Sequence, residues 1–159
     1  MIQNATVSDV RQIKKLLFET WSEVYKDVLT HEQLITVTSD WHSPDLLKKQ
    51  IKDQKILFFV VKEGNKIVAT CNTGEINTKE VEIQRLHVKP GYQRQGLGTT
   101  ILDHVIESFP KHHKFRIEVE ETNSRAVAFY KKYGFRKTKK IILEIDSIKI
   151  PCIEMILKT

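Results

Sequence analysis

The six residues Gln93-Arg94-Gln95-Gly96-Leu97-Gly98 place two glycines where a strand-like apolar run ending at Val88 gives way to a helical pattern, Thr99-Thr100-Ile101-Leu102 and onward. Glycine has no Cβ, so bare backbone N–H groups can close around an anion at such a junction. The partial positive charge of a helix N-terminus adds to the attraction. The chemistry on offer is the holding of a phosphate or pyrophosphate by loop amides. The common nucleotide loops do not fit. No Gly-Lys-Ser or Gly-Lys-Thr occurs, and Gly98 runs into Thr99-Thr100-Ile101 without the third glycine of a dinucleotide fingerprint.

The run that feeds this loop is irregular. Its apolar residues fall at Val81 and Ile83, then at Leu86 and Val88. Strand side chains alternate with period two, so this change of parity buries Arg85 or exposes Leu86 unless the register breaks. One extra residue, a β-bulge, resolves the conflict; a strand buried on both faces is the other reading. A bulge leaves backbone groups unpaired and free to bond an extended ligand. A pyrophosphate joined to an amide-bearing arm is the shape of coenzyme A.

With these residues in view, the stretch IQRLHVKPGYQRQGLGTTIL resembles the acetyl-CoA motif of the GNAT superfamily of N-acetyltransferases. Gln93, Gly96 and Gly98 stand at that motif's defining positions. Further on, VEETNSRAVAFYKKYGFRK is similar to the superfamily's second motif, with Asn123, Ala126, Phe129, Tyr130, Gly134 and Phe135 in matching places. The resemblance implies that backbone groups of Leu86, His87 and Val88 bond the pantetheine arm. Amides of the loop Arg94, Gln95, Gly96, Leu97, Gly98 and Thr99, together with Gln93, would hold the pyrophosphate. Asn123 would bond the arm, Ala126 and Phe129 would line it, and Tyr130 would protonate the departing thiolate. Valine at Gly96 or Gly98 should then weaken coenzyme binding by steric intrusion, without unfolding the chain.

The reaction implied is acetyl transfer from acetyl-CoA to an amine, with no metal. An alkylamine of pKa about 10.4 is almost wholly protonated at pH 7, and freeing its lone pair costs about 4.6 kcal/mol. A base is therefore useful. The resemblance favours Glu82, on the strand before the bulge; His87, Glu120, Glu121 and a water are the alternatives. Glu75, Glu80, Glu82, Glu118, Glu120 and Glu121 also gather acidic residues on the central strands, which suits a cationic acceptor. Trp21, Tyr25 and the segment Leu29 to Trp41 are expected at the acceptor's rim. A non-catalytic acyl-CoA-binding or regulatory module on the same fold is the competing reading. Tyr130 and the acidic strand argue against it.

Those residues need a scaffold, and the hydrophobic pattern outlines one. A short first strand precedes Thr6-Val7-Ser8-Asp9, which has capping-box spacing with Asp in place of Glu. Val10, Ile13, Leu16, Leu17, Trp21 and Val24 then follow at helical intervals. A second helix opens at Ser43-Pro44-Asp45. Three strands are expected over Lys55–Lys62, Lys66–Thr73 and Lys79–Val88, the first two joined at Glu63-Gly64-Asn65. A helix runs from the glycine loop to about Phe109. A strand over FRIEVE leads to a helix from Asn123 to Lys132, stopped at Tyr133-Gly134. Two closing strands end the chain. The expectation is one α+β domain over 1–159, with a mixed, mostly antiparallel central sheet carrying a β-bulge and splayed strands, flanked by about four helices.

Composition fits that outline. The chain has 159 residues, 40% hydrophobic and 29% charged, enough for one core. The net charge of +6 would suit a polyanion, but no basic run is interleaved with aromatics, so no nucleic acid is expected as partner. The longest apolar run, Ile56 to Val61, is far short of a membrane span. Cys71 and Cys152 read as reduced core thiols, and a cytoplasmic monomer or homodimer acting on an amine-bearing acceptor is expected.

Overall fold

A computed structural model describes residues 1–159. Seven strands form one sheet in the order β1-β2-β3-β4-β5-β7-β6. They are β1 (Ile2–Asn4), β2 (Ile56–Glu63), β3 (Lys66–Asn77), β4 (Glu80–Val88), β5 (Lys114–Glu120), β6 (Arg136–Ile145) and β7 (Ile148–Lys158). Only β4 and β5 pair in parallel. The helices are α1 (Val10–Val24), α2 (His31–Trp41), α3 (Pro44–Lys52), α4 (Leu97–Ser108) and α5 (Ser124–Tyr133).

The two faces of the sheet are covered by different helices, as strand alternation requires. Phe58 and Val60 of β2 pack under Ile13, Leu16, Leu17 and Leu47 from α1 and α3. Their neighbours Phe59 and Val61 face the opposite way, into Ile101, Leu102, Val105, Val127 and Tyr130 of α4 and α5. A third cluster joins Trp21, Leu34 and Val37 to Ile145, Ile150 and Cys152. Both thiols are buried and free, and burial pushes Cys152 up to about 12, where it stays protonated.

Helix α2 adds one helix to the pattern drawn from the sequence. Its signal is present in the residues: Thr30 Oγ1 accepts from Gln33 N–H at 3.1 Å, while Gln33 Oε1 accepts from Thr30 N–H at 3.0 Å. That is a reciprocal cap. Helix α3 begins as expected, with Leu46 N–H donating to Ser43 Oγ at 3.2 Å and Pro44 in the first turn.

The change of parity in β4 has the physical cause inferred for it. Asn72 pairs with Arg85 and Thr73 with Ile83, so Gln84 has no partner on β3 and forms the bulge. Beyond it the strand separates from its other neighbour. β4 pairs with β5 only from Glu80↔Lys114 to Ile83↔Ile117. From Gln84 and Glu118 onward the two strands splay, leaving a wedge whose walls carry unpaired backbone.

Candidate active site

The glycine loop sits at the open end of that wedge. Arg94 has φ 62° and Gly96 φ 82°, two left-handed residues that turn the chain sharply into α4. Gln93 braces the turn: its Nε2 donates to Val88 O at 3.0 Å, and its Oε1 accepts from Arg125 at 3.2 Å. The helix's first bond is Thr100 N–H to Gly96 O at 3.0 Å. The amides of Leu97, Gly98 and Thr99 precede it and point outward without intrahelical partners. Free amides at a helix N-terminus are the groups that an anion could bond.

The two glycines have different jobs. A Cβ on Gly96 would meet nothing within 4 Å, so the cost there lies in the left-handed φ. On Gly98 a Cβ would stand 2.8 Å from Phe129 Cζ and 3.1 Å from Cε2. Gly98 is therefore required for α4 to approach α5, which revises the expectation that valine at this position acts by intruding on a ligand alone. Gly98→Ala should destabilise the fold by about 1–3 kcal/mol through displacement of the Phe129 ring. A chemical denaturation midpoint equal to that of the wild type would contradict this.

On the α5 side of the wedge, Tyr130 is 4% exposed, its ring between Phe129 (centroids 5.1 Å) and Phe135 (5.4 Å). Burial, with Cys71 nearby, pushes its phenol well above the ordinary tyrosine value, so it stays protonated. Asn123 caps α5 through Oδ1, which accepts from Ala126 N–H at 3.1 Å. Its Nδ2 donates to no protein group, and Oδ1 keeps a second lone pair. Ala126 and Phe129 are half-buried against the core, as are Leu86 and Val88 across the wedge.

The other face of β4 and β5 carries the ionisable groups. Glu82 is tied to Arg116 at 2.8 Å, and Arg116 lies 3.7 Å from Glu154. Glu118, the first residue of β5 beyond the splay, has no cation within salt-bridge reach. Burial first, then the charges of Glu82 and Glu154, push its carboxyl above the usual range, with Arg116 opposing. A carboxyl raised in this way holds a proton more readily than a free glutamate does.

The remaining acidic residues have other engagements. Glu120 folds onto Thr122, accepting from its N–H at 3.0 Å and its hydroxyl at 2.7 Å. Glu121 pairs with Lys140, Glu80 with Lys114, and Glu75 lies 3.3 Å from His112. His87 lies half-buried under α1, with Nδ1 3.4 Å from Thr20 Oγ1, and burial and Arg85 push it down to about 4. At neutral pH it is uncharged and far too weak a base for an ammonium. Glu118 and Glu154 become neighbours of Glu82 only through strand pairing across 34 and more residues, which no local motif announces.

A bulged strand splaying from a parallel neighbour, with a glycine-led helix N-terminus at the mouth, defines the N-acetyltransferase fold class. The chain belongs to the acetyltransferase (GNAT) family, whose model matches residues 11–135. It is 31% identical over 86 residues to the ribosomal protein bS18-alanine N-acetyltransferase of Escherichia coli strain K12, over 53% of this chain and 57% of that protein. The chain thus spans little more than half the length of the curated relatives it matches. Among solved structures it resembles the PaiA N-acetyltransferase of Thermoplasma acidophilum, crystallised with coenzyme A, at TM-score 0.82 and 20% identity, over 100% of this chain and 98% of that one. The Escherichia coli ribosomal-protein-S18-alanine N-acetyltransferase gives TM-score 0.74 and 20% identity, over 99% and 92%.

Proposed function

We propose that the protein transfers an acetyl group from acetyl-CoA to a primary amine by direct attack in a ternary complex. The observation that carries this reading is the juxtaposition at the β4–β5 wedge: unpaired helix-terminal amides at its mouth, protonated Tyr130 on one wall, and the Glu82–Glu118 carboxylates on the opposite face.

In this reading the amides of Arg94 to Thr99 hold the pyrophosphate, and the unpaired edge of Leu86, His87 and Val88 bonds the pantetheine amides. The acceptor amine enters from the side of α1 to α3. Glu118 takes a proton from the ammonium, with Glu82 holding negative charge beside it. The freed lone pair attacks the thioester carbonyl, forming C–N as C–S breaks. Tyr130 donates a hydrogen bond to the sulfur as it leaves. The second proton, shed by the new amide nitrogen, passes to that thiolate through the Tyr130 hydroxyl, while Glu118 returns the first to solvent. Glu82 alone remains the alternative base on the same face.

Following free thiol release across a panel of primary amines with acetyl-CoA tests the proposal. Turnover with at least one class of amine is expected. Tight coenzyme binding with no turnover on any amine would favour a non-catalytic acyl-CoA-binding module instead. A companion result is expected for Asn123→Ala, which should raise KM for acetyl-CoA more than KM for the amine and cost about 1 kcal/mol of stability from the lost cap. Equal effects on both KM values in steady-state kinetics would remove Asn123 from the coenzyme's contacts.

A further inference from the structure

Arg85 follows the bulge residue and projects beneath the acceptor-side helices. Its Nη1 donates to Gln50 Oε1 at 2.7 Å and to Asn72 Oδ1 at 3.2 Å, and its Nη2 donates to the carbonyl of Trp41 at 2.8 Å. All three acceptors are neutral. No carboxylate lies within 4.0 Å of its guanidinium, whereas Lys114, Arg116 and Lys139 on the neighbouring strands each have one. Burial alone pushes the group down to about 10.

The surroundings add donors and no anion. His42, 1% exposed, has an Nδ1 with no partner, and Trp21, 6% exposed, has an unpartnered indole N–H. Their rings meet edge-on at 5.2 Å. Burial and Arg85 hold both His42 and His87 uncharged. The C-terminal end of α2, which supplies the Trp41 carbonyl, offsets roughly half a charge. The tie to α2 and α3 accounts for where the arginine sits, but the rest of its charge has no partner, and buried charges are ordinarily paired.

We propose that Arg85 is the anion-holding residue of the acceptor subsite, and that the natural acceptor bears a carboxylate close to the amine it presents. The spacing suits this. On β3, Asn72 faces Arg85 and Gly74 faces Glu82, so the two residues stand two strand positions, about 7 Å, apart along the sheet. An amino acid, whose amine and carboxylate share one carbon, presents a cation toward Glu82 and Glu118 and an anion toward Arg85 at the same time. A polyamine offers Arg85 only further cations, and a protein N-terminus offers it only amides.

This inference rests on the acetyltransferase reading, and the two fail differently. The test compares kcat/KM for free amino acids, their carboxamides and spermidine, with acetyl-CoA, in the wild type, Arg85→Gln and Arg85→Lys. In the wild type the free amino acid should exceed its carboxamide by about tenfold or more. Arg85→Gln should collapse that ratio toward one by lowering the amino acid's value, and Arg85→Lys should restore part of it. A wild type that favours the carboxamide or spermidine overturns the proposal, as does an Arg85→Gln variant that keeps the ratio or loses both substrates equally. If Arg85→Gln does not fold, competitive inhibition of the wild type by amine-free 2-hydroxy acids replaces it, and no inhibition overturns the proposal. Absence of turnover on every amine sinks the acetyltransferase reading itself.

Discussion

Tyr130→Phe is expected to lower kcat by about 10- to 1000-fold while leaving the affinity for acetyl-CoA nearly unchanged, the span that positioned acid–base groups contribute. The ring is held by Phe129 and Phe135 rather than through its hydroxyl, so phenylalanine keeps the packing and removes only the acid. Two opposing facts set the size of the loss. The buried phenol is always protonated and so always able to donate. Yet a thiol ionises near pH 8.5, and full proton transfer from a phenol whose pKa burial has raised is uphill. The benefit is therefore a strong hydrogen bond to sulfur as charge develops, which places the effect toward the lower half of the range. Steady-state kinetics with a thermal melt on the same samples would check this. Full turnover in a folded variant would assign protonation of the thiolate to solvent.

The second large effect concerns the two carboxylates, and it has a sign. A base works only when deprotonated, so activity falls as pH drops through its pKa. Glu118→Gln should lower kcat at neutral pH by about 10²–10⁴-fold, the usual worth of a positioned base. Glu82→Gln should do less, and in a telling direction. Removing the negative charge beside Glu118, and releasing Arg116 from its 2.8 Å pairing with Glu82, both make the Glu118 carboxyl a stronger acid. The acidic limb of kcat against pH should then move to lower pH. If Glu82 is itself the base, its loss moves that limb up instead. The pH profiles of the two variants decide between them.

How much of this was open to a reader of the residues depends on range. The bulge was legible because it leaves a local trace, the change of parity between Ile83 and Leu86, and the register of β3 against β4 places the extra residue at Gln84. The glycine loop was legible because a strand, two glycines and a helix follow one another directly. The cap of α2 was present at Thr30 and Gln33, but its short apolar pattern of Leu34 and Val37 is too sparse to stand out from a polar segment. What stayed hidden was set by distant pairing. The need for Gly98 comes from Phe129, the division of labour between Glu82 and Glu118 from Arg116 and Glu154, and the neutrality of His87 from α1 and Arg85. Phe129 is far from Gly98 in sequence, Arg116 lies 34 residues from Glu82 and Thr20 of α1 lies 67 from His87, and alternation along one strand carries no information about such partners.

The most direct test of the account is calorimetric titration of acetyl-CoA into the wild type and into Gly96→Val. At this position a side chain meets open space and a left-handed φ of 82° rather than the core, so the variant should fold, as far-UV circular dichroism would show. The account predicts saturable one-site binding to the wild type and an affinity lower by about tenfold or more in the variant, a loss of at least about 1.4 kcal/mol. No binding to the wild type, or equal affinity in a folded Gly96→Val, would contradict it.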